Sequence, residues 1–404
     1  MKPHILFITS TNLASNPRCH KEIGLALNLR YRITYIAFDL PGWTREKERQ
    51  IQNELPEAEK TYLPAGRGNF VSWGIITFLE IFLRKIYKRI PVLSLIAFAV
   101  SKRSIQLTRA LKKLKEKPDL VIAHNPAAFY PAYYFSKKNK IPFAIDVEDY
   151  HPGEGNNKAL ARLNIQLIKR ILPFAEYVSF AAPLIKEKII NDILSKKIKK
   201  ALIINNVFQE KEFVPPARTS ATGKIKLVWF SQNIDKGRGL EEILPVIENL
   251  KDFFEFTIIG NLREEYSKFL KPFQSFVNTI SPLSQRELHL LLGCFDIGLA
   301  IEPGKDLNNS LAVSNKIWAY FQAGLFIIAS DTVAQQNFIK QFNKHGIIID
   351  LFDKENLRHE LINLYEKWNE LKTKKTERFE TAKAYNWEIE SEQLKIKWKE
   401  IVQT

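Results

Sequence analysis

A chain of 404 residues, 45% hydrophobic and 12% aromatic, carries more apolar material than one ordinary core needs and far too much for a disordered chain. Its 2 cysteines, Cys19 and Cys294, supply neither a disulfide framework nor metal-type spacing, so a reducing compartment is expected. The formal charge of +16 favours anionic partners.

The opening MKPHILFITSTN reads as a strand, His4–Thr9, with polar residues after it and no long apolar leader. A helix is expected to open at Pro17, where proline suits the first turn. Between them, Asn12, Asn16 and Arg18 follow the strand; Arg18 either meets an anion or is a plain first-turn surface arginine. A second strand is read at Arg32–Phe38. The apolar stretches 70–83 and 90–100 fall short of the ~20 residues a spanning helix needs, and Glu80 interrupts the first. A protein that is soluble or lies on a membrane is expected. From Arg84 to Lys117 run eleven Lys or Arg and one acid, Glu116, interleaved with apolar residues such as Leu93, Ile96 and Leu107. That mixture fits an anionic membrane surface, or else a solvated helix face.

Strands follow at Leu120–His124, Phe143–Asp146, Tyr177–Phe180 and Leu202–Asn205, with helical patterns between them. His124 ends its strand, a position that raises its interest above that of an ordinary packed histidine. The run DVEDYHPGE places Glu148, Asp149, His151 and Glu154 just beyond the next strand. A carboxylate and an imidazole there can orient or deprotonate a hydroxyl, although acidic loop residues also cap helices.

Residues 209–224, QEKEFVPPARTSATGK, read as an interdomain linker. The βα pattern then restarts at Lys226–Phe230, Phe254–Gly260, Phe276–Ile280, Ile297–Ile301, Phe326–Ser330 and Ile347–Asp350. In 296–331 a strand ends at Glu302, and a polar loop carries Asn308, Asn309 and Ser310. A helix then starts near Ser314 and stops at Gly324. Its start, with Asn315 and Lys316, is a place where an anion gains from unpaired N–H groups. Trp387–Val402 has apolar residues at roughly helical spacing and is expected to pack back on the first lobe.

The expected fold is α/β, with two Rossmann-like doubly wound parallel-sheet domains facing across a cleft. The expected bounds are 1–208, a linker at 209–224, 225–385, and a C-terminal helix 386–404 crossing back. No local pair among the 7 histidines and 2 cysteines has zinc spacing, so no metal is expected. No GxxxxGK[ST] loop or GxSxG elbow occurs, which argues against P-loop nucleotidases and ordinary α/β-hydrolases.

The stretch SNKIWAYFQAGLFIIASD (314–331) resembles the signature of family-four glycosyltransferases of the GT-B fold. Further similarities are PDLVIAHNPAAFYPA (118–132), IPFAIDVEDYH (141–151), AEYVSFAAPLIKEKI (175–189), LIINNVF (202–208) and RGLEEIL (238–244), in the family's order. The resemblance implies sugar transfer from a nucleotide-diphosphate sugar, usually with retention and without a metal, the donor on the second lobe and the acceptor on the first. Arg238 stands where the family carries a phosphate-binding lysine, with Lys236 close by; either residue otherwise decorates a glycine turn. Glu302, Ser314, Asn315 and Lys316 are the remaining donor candidates, and Asp149, His151 and His124 are the acceptor-side ones. The chain departs from the pattern at Gln232, where many members have an arginine, and at Ala319, which replaces the usual ribose-holding glutamate. The expected activity is a hexosyl-type transfer to a glycan or lipid-linked acceptor for cell-surface polysaccharide or glycolipid synthesis. It would be cytoplasmic, in peripheral contact with an anionic membrane, and would bind no nucleic acid. A nucleotide-sugar epimerase, a degenerate transferase or a basic binding protein are the alternatives.

Overall fold

The computed structural model describes residues 2–42, 44–65, 70–87, 89–90, 92–216 and 223–403, with backbone alone at 70–73. The chain divides into two compact units, Met1–Asn205 with Ser391–Thr404, and Asn206–Glu390.

The first unit is built on a seven-stranded sheet in the order β3-β2-β1-β4-β5-β6-β7, with every pairing parallel. Its strands are β1 (His4–Thr9), β2 (Arg32–Asp39), β3 (Glu59–Pro64), β4 (Leu120–His124), β5 (Phe143–Val147), β6 (Val178–Phe180) and β7 (Ala201–Ile203). β4 and β5 are buried along their whole length, which is why they read as unbroken apolar runs. The order reverses between β1 and β4, so the carboxyl ends of β1, β4 and β5 sit together at a topological switch point. β3, EKTYLP, was not foreseen: as a largely exposed edge strand it has no apolar run to betray it.

The second unit holds a six-stranded parallel sheet, β10-β9-β8-β11-β12-β13. The strands are β8 (Ile225–Ile234), β9 (Phe254–Leu262), β10 (Val277–Ile280), β11 (Ile297–Ala300), β12 (Phe326–Ser330) and β13 (Gly346–Ile349). Its switch point lies between β8 and β11. The helix Asn315–Gln322 packs tightly on β11, for a Cβ added at Gly298 would meet the Tyr320 ring at 2.2 Å. Gly324, at φ +70°, then turns the chain into β12, with the Leu325 N–H bonded to the Tyr320 carbonyl.

Three boundaries differ from the expectation. The first unit ends at Asn205 rather than 208, because the Phe208 N–H donates to Gln322 and its carbonyl accepts from Trp387 N, both in the second unit. The described part of the expected linker folds on the second unit: a short 3₁₀ turn, Glu210–Glu212, sits there with Gln285 donating to Glu212. The remainder, 217–222, lies outside the described residues. The tail is two helices, Trp387–Glu390 and Glu392–Val402, and only the second belongs to the first unit. There Trp398 is fully buried, meets the Phe7 ring edge-on at 6.1 Å and donates to the Tyr177 hydroxyl at 2.7 Å. The expected loop at Asn308–Ser310 is a one-turn helix, Leu307–Leu311, capped by the Asp306 side chain.

Candidate functional site

At the switch point of the second sheet, the loop after β8 and the loop after β11 lie against each other. Gly237, at φ +69°, leaves room for the Lys305 side chain, since a Cβ there would stand 2.2 Å from Lys305 Nζ. Gly239, at φ +90°, opens the helix Leu240–Glu248 and packs on Ile301. Lys236, Arg238 and Lys305 are exposed, and among the described residues none is paired with a carboxylate. Three acids nearby are engaged. Asp235 accepts from Lys236 N, Glu241 accepts from Gly237 N, and Glu302 pairs with Lys316 at 2.6 Å. That last pair is mostly buried, and Lys316 Nζ also stands 5.7 Å from the centre of the buried Trp229 ring. The Glu302 backbone is clamped in turn by Ser330 Oγ, which binds both its N–H and its carbonyl at 2.8 Å. Ser314 caps the helix Asn315–Gln322 without a side-chain hydrogen bond, and its Oγ is buried with no partner. Three cations without a carboxylate partner among the described residues, beside a helix start, have the chemistry to attract an anion.

The first unit's switch point holds a different chemistry. Arg18, Glu22, His124 and Asp146 are all fully buried. Arg18 Nε reaches Asp146 at 2.9 Å and Glu22 at 3.6 Å, while its Nη1 donates to the Ile204 carbonyl. His124 stands between carboxylates, with Nε2 3.4 Å from Glu22 and Nδ1 3.4 Å from Asp146 and 3.2 Å from Glu148. Burial works against the charged imidazolium, but Cys19, Glu22 and Asp146 outweigh it and hold His124 well above its usual value. Burial likewise opposes ionised Asp146, yet Arg18 and His124 keep its carboxyl below the ordinary range. Arg18 and His124 thus face Asp146 and Glu22 in the interior. Glu148, 17% exposed, is the partly solvated edge of this network. Glu22, His124 and Asp146 offer ligand atoms within 4.8 Å of one another, but Arg18 already supplies the counter-charge a metal ion would bring. Beside them, Thr9 Oγ1 donates to Asn125 Oδ1 at 2.8 Å, and Asn125 takes φ 67°, a strained conformation for a residue with a side chain.

The sequence matches no family model and no curated protein. Solved structures do match, over nearly the whole chain. Anabaena HepE in complex with UDP is 13% identical, with a TM-score of 0.66 over 99% of this chain and 100% of that one. Sucrose-phosphate synthase from Thermosynechococcus elongatus is 11% identical, with a TM-score of 0.66 over 99% of both. The chain has the GT-B fold. A putative UDP-N-acetylglucosamine 2-epimerase from Listeria monocytogenes shares that architecture more distantly, at 12% identity and a TM-score of 0.55 over 93% of this chain and 90% of that one.

Within this GT-B chain the expected donor residues Lys236, Arg238, Glu302, Ser314 and Lys316 gather on the loops and helix start around one switch point. Asn315 is less free than expected, since its side-chain oxygen accepts from Asn206 at 2.8 Å. Lys305 was missed: a lone loop lysine carries no sequence signal until Gly237 is seen to accommodate it. On the first unit, His124 is fully buried at the end of its strand. His151 is also buried, in the 3₁₀ turn His151–Gly153, with Nδ1 2.9 Å from Glu154 and Nε2 without a hydrogen-bond partner. Asp149 is half-buried, and its carbonyl accepts from His151 N. Glu148 and Arg18 emerge as the informative residues there. Arg18 is wholly internal, neither a surface arginine nor an exposed anion contact.

Proposed function

We propose that this chain is a glycosyltransferase taking a hexose-like sugar from a nucleotide diphosphate and passing it to a glycan or lipid-linked acceptor, in cell-surface polysaccharide or glycolipid synthesis on the cytoplasmic side of the membrane. The observation that carries the reading is the trio of unpaired cations, Lys236, Arg238 and Lys305, at the switch point of the second sheet, on a fold whose solved neighbours include proteins holding UDP. In this reading Arg238 and its two lysines neutralise the departing diphosphate in place of a metal. Lys316, held by Glu302, and the Ser314 hydroxyl add donors at the helix start. Ala319 is fully buried, so the ribose would have to be held by other groups.

A retaining route suits this arrangement. The sugar C1–O bond to the diphosphate breaks, the acceptor oxygen bonds C1 on the same face, and the acceptor proton passes to the diphosphate oxygen that has just been released. No strong protein base is then required. On the first unit Glu148, oriented by His124, would position the acceptor hydroxyl together with Asp149; buried His124 and His151 act through neighbours. Epimerisation of a nucleotide sugar is the second reading, favoured by the likeness to the Listeria epimerase.

One assay separates these. Full-length protein is incubated with UDP-, GDP- or ADP-sugars, with and without a membrane lipid extract. Transfer predicts free nucleoside diphosphate and a glycosylated lipid or glycan that appear only with the extract. An isomerised nucleotide sugar without extract would establish the epimerase instead, and no turnover of any donor would leave a binding protein.

A further inference from the structure

The helix Phe70–Ile86 presents an apolar face to solvent. Ile75, Phe78, Ile81 and Phe82 are 63%, 70%, 52% and 47% exposed, at spacings that put them on one side of a helix. The Phe78 and Phe82 rings stack on each other with centroids 6.3 Å apart. Ile90 and Val92, 47% and 51% exposed, continue the patch beyond the helix end. Val92 in turn borders a groove of about 440 Å³ lined also by Tyr133, Tyr134, Lys137 and Lys138, with no acid in its lining.

This exposure is not a failure of packing. The opposite face is anchored: Ile76 and Leu83 are buried, Glu80 pairs with Arg84, and Arg84 also donates to the Ala99 carbonyl. Glu80 further accepts from the Lys102 backbone, and Lys102 Nζ binds Thr77 at 2.9 Å. The one acid of this helix is thus satisfied internally, leaving no negative charge on the outward stripe. Lys85 and Arg89, at the stripe's end, are exposed and have no carboxylate partner among the described residues.

We infer that this face is where the protein rests on an anionic lipid bilayer, with Phe78, Ile81 and Phe82 entering the headgroup and acyl boundary and Lys85 and Arg89 on lipid phosphates. The stripe lacks the polar groups that would give a protein partner its specificity, and a second copy seated face to face would bring the same cations against it. Charge complementarity therefore favours an anionic lipid surface. The helix has 17 residues and no described helix is long and apolar enough to cross a membrane, so it lies on the surface. The basic segment 84–117 is thereby reassigned. Arg84 is tied into the helix packing, and Arg103 donates to the Ser10 carbonyl and covers the Phe38 ring, so neither is a lipid contact; Lys88 lies outside the described residues. The inference deepens the reading of a lipid-linked acceptor and rests on it only for its purpose.

The test is co-sedimentation of the full chain with vesicles of phosphatidylcholine alone or mixed with phosphatidylglycerol. Wild type should sediment with the mixed vesicles. The exposed double variant Phe78→Ser/Phe82→Ser should bind them roughly tenfold more weakly at any salt, and Lys85→Ser/Arg89→Ser should lose binding mainly at low salt, where screening is least. Undiminished binding by the phenylalanine variant, or no binding by wild type, overturns the assignment. So does concentration-dependent dimerisation in sedimentation velocity that Phe78→Ser abolishes, which would make a second copy the occupant. UDP binding by the same variants is measured alongside. Unchanged UDP binding with lost vesicle binding supports the surface, whereas absent UDP binding in wild type strikes the donor reading and leaves the lipid surface standing.

Discussion

Asp146→Ala is expected to cost about 3–5 kcal/mol of folding stability, the usual penalty for stranding a buried partner. Arg18 and His124, both fully buried, would each lose a counter-charge, and the two would be left to share Glu22, with Glu148 at the partly solvated edge. Urea denaturation of the full chain measures this in the transition of the first unit, and a loss under about 1 kcal/mol, the range of surface pairs, would contradict the account. The pH dependence has a defined sign. Folded His124 keeps its proton above the ordinary 6.5, so its contribution is complete below 6.5 and fades as pH rises through the raised value. Glu22, pushed up from 4.5 chiefly by burial, acts in the same direction. Asp146, held below 3.8, acts oppositely, its contribution being present above 3.8 and lost in stronger acid. Stability above pH 6.5 should consequently fall less steeply in His124→Gln than in wild type. Equal slopes would mean that His124 is neutral in the folded protein.

The second large effect concerns turnover. Arg238→Ala should lower kcat by roughly a hundredfold or more, on the order of the ~3 kcal/mol attached to one preorganised oxyanion donor, with little change in stability because the side chain is exposed. Stopped or coupled release of the nucleoside diphosphate reads this directly. A kcat within about twofold of wild type, well under 1 kcal/mol, would remove Arg238 from the chemistry.

The frame of the fold was legible because parallel strands buried on both faces leave unbroken apolar runs: β1, β4 and β12 fall on the residues read from sequence. β3 was hidden by its exposure at the sheet edge. On the second unit, Ser314–Lys316 was readable because polar residues and a helix start coincide locally. The buried network of the first unit was not. Arg18 and Asp146 lie 128 positions apart, and nothing local distinguishes an arginine that will be buried beside an aspartate from one on the surface. The same holds for the basic run 84–117, where Arg84 is engaged by Glu80 and the Ala99 carbonyl and Arg103 by the Ser10 carbonyl, while the apolar stripe just before the run faces outward.

A nucleoside diphosphate is expected to sit on Lys236, Arg238 and Lys305 without a metal. Titration calorimetry of the full chain with UDP, GDP and ADP, in the presence of a chelator, tests it most directly. Saturable binding of one of the three is expected at one site per chain, weakened about tenfold or more by Lys305→Ala, as loss of a single charge-assisted phosphate contact implies. Binding that requires added divalent cation, or that Lys305→Ala and Arg238→Ala leave unchanged, would contradict it.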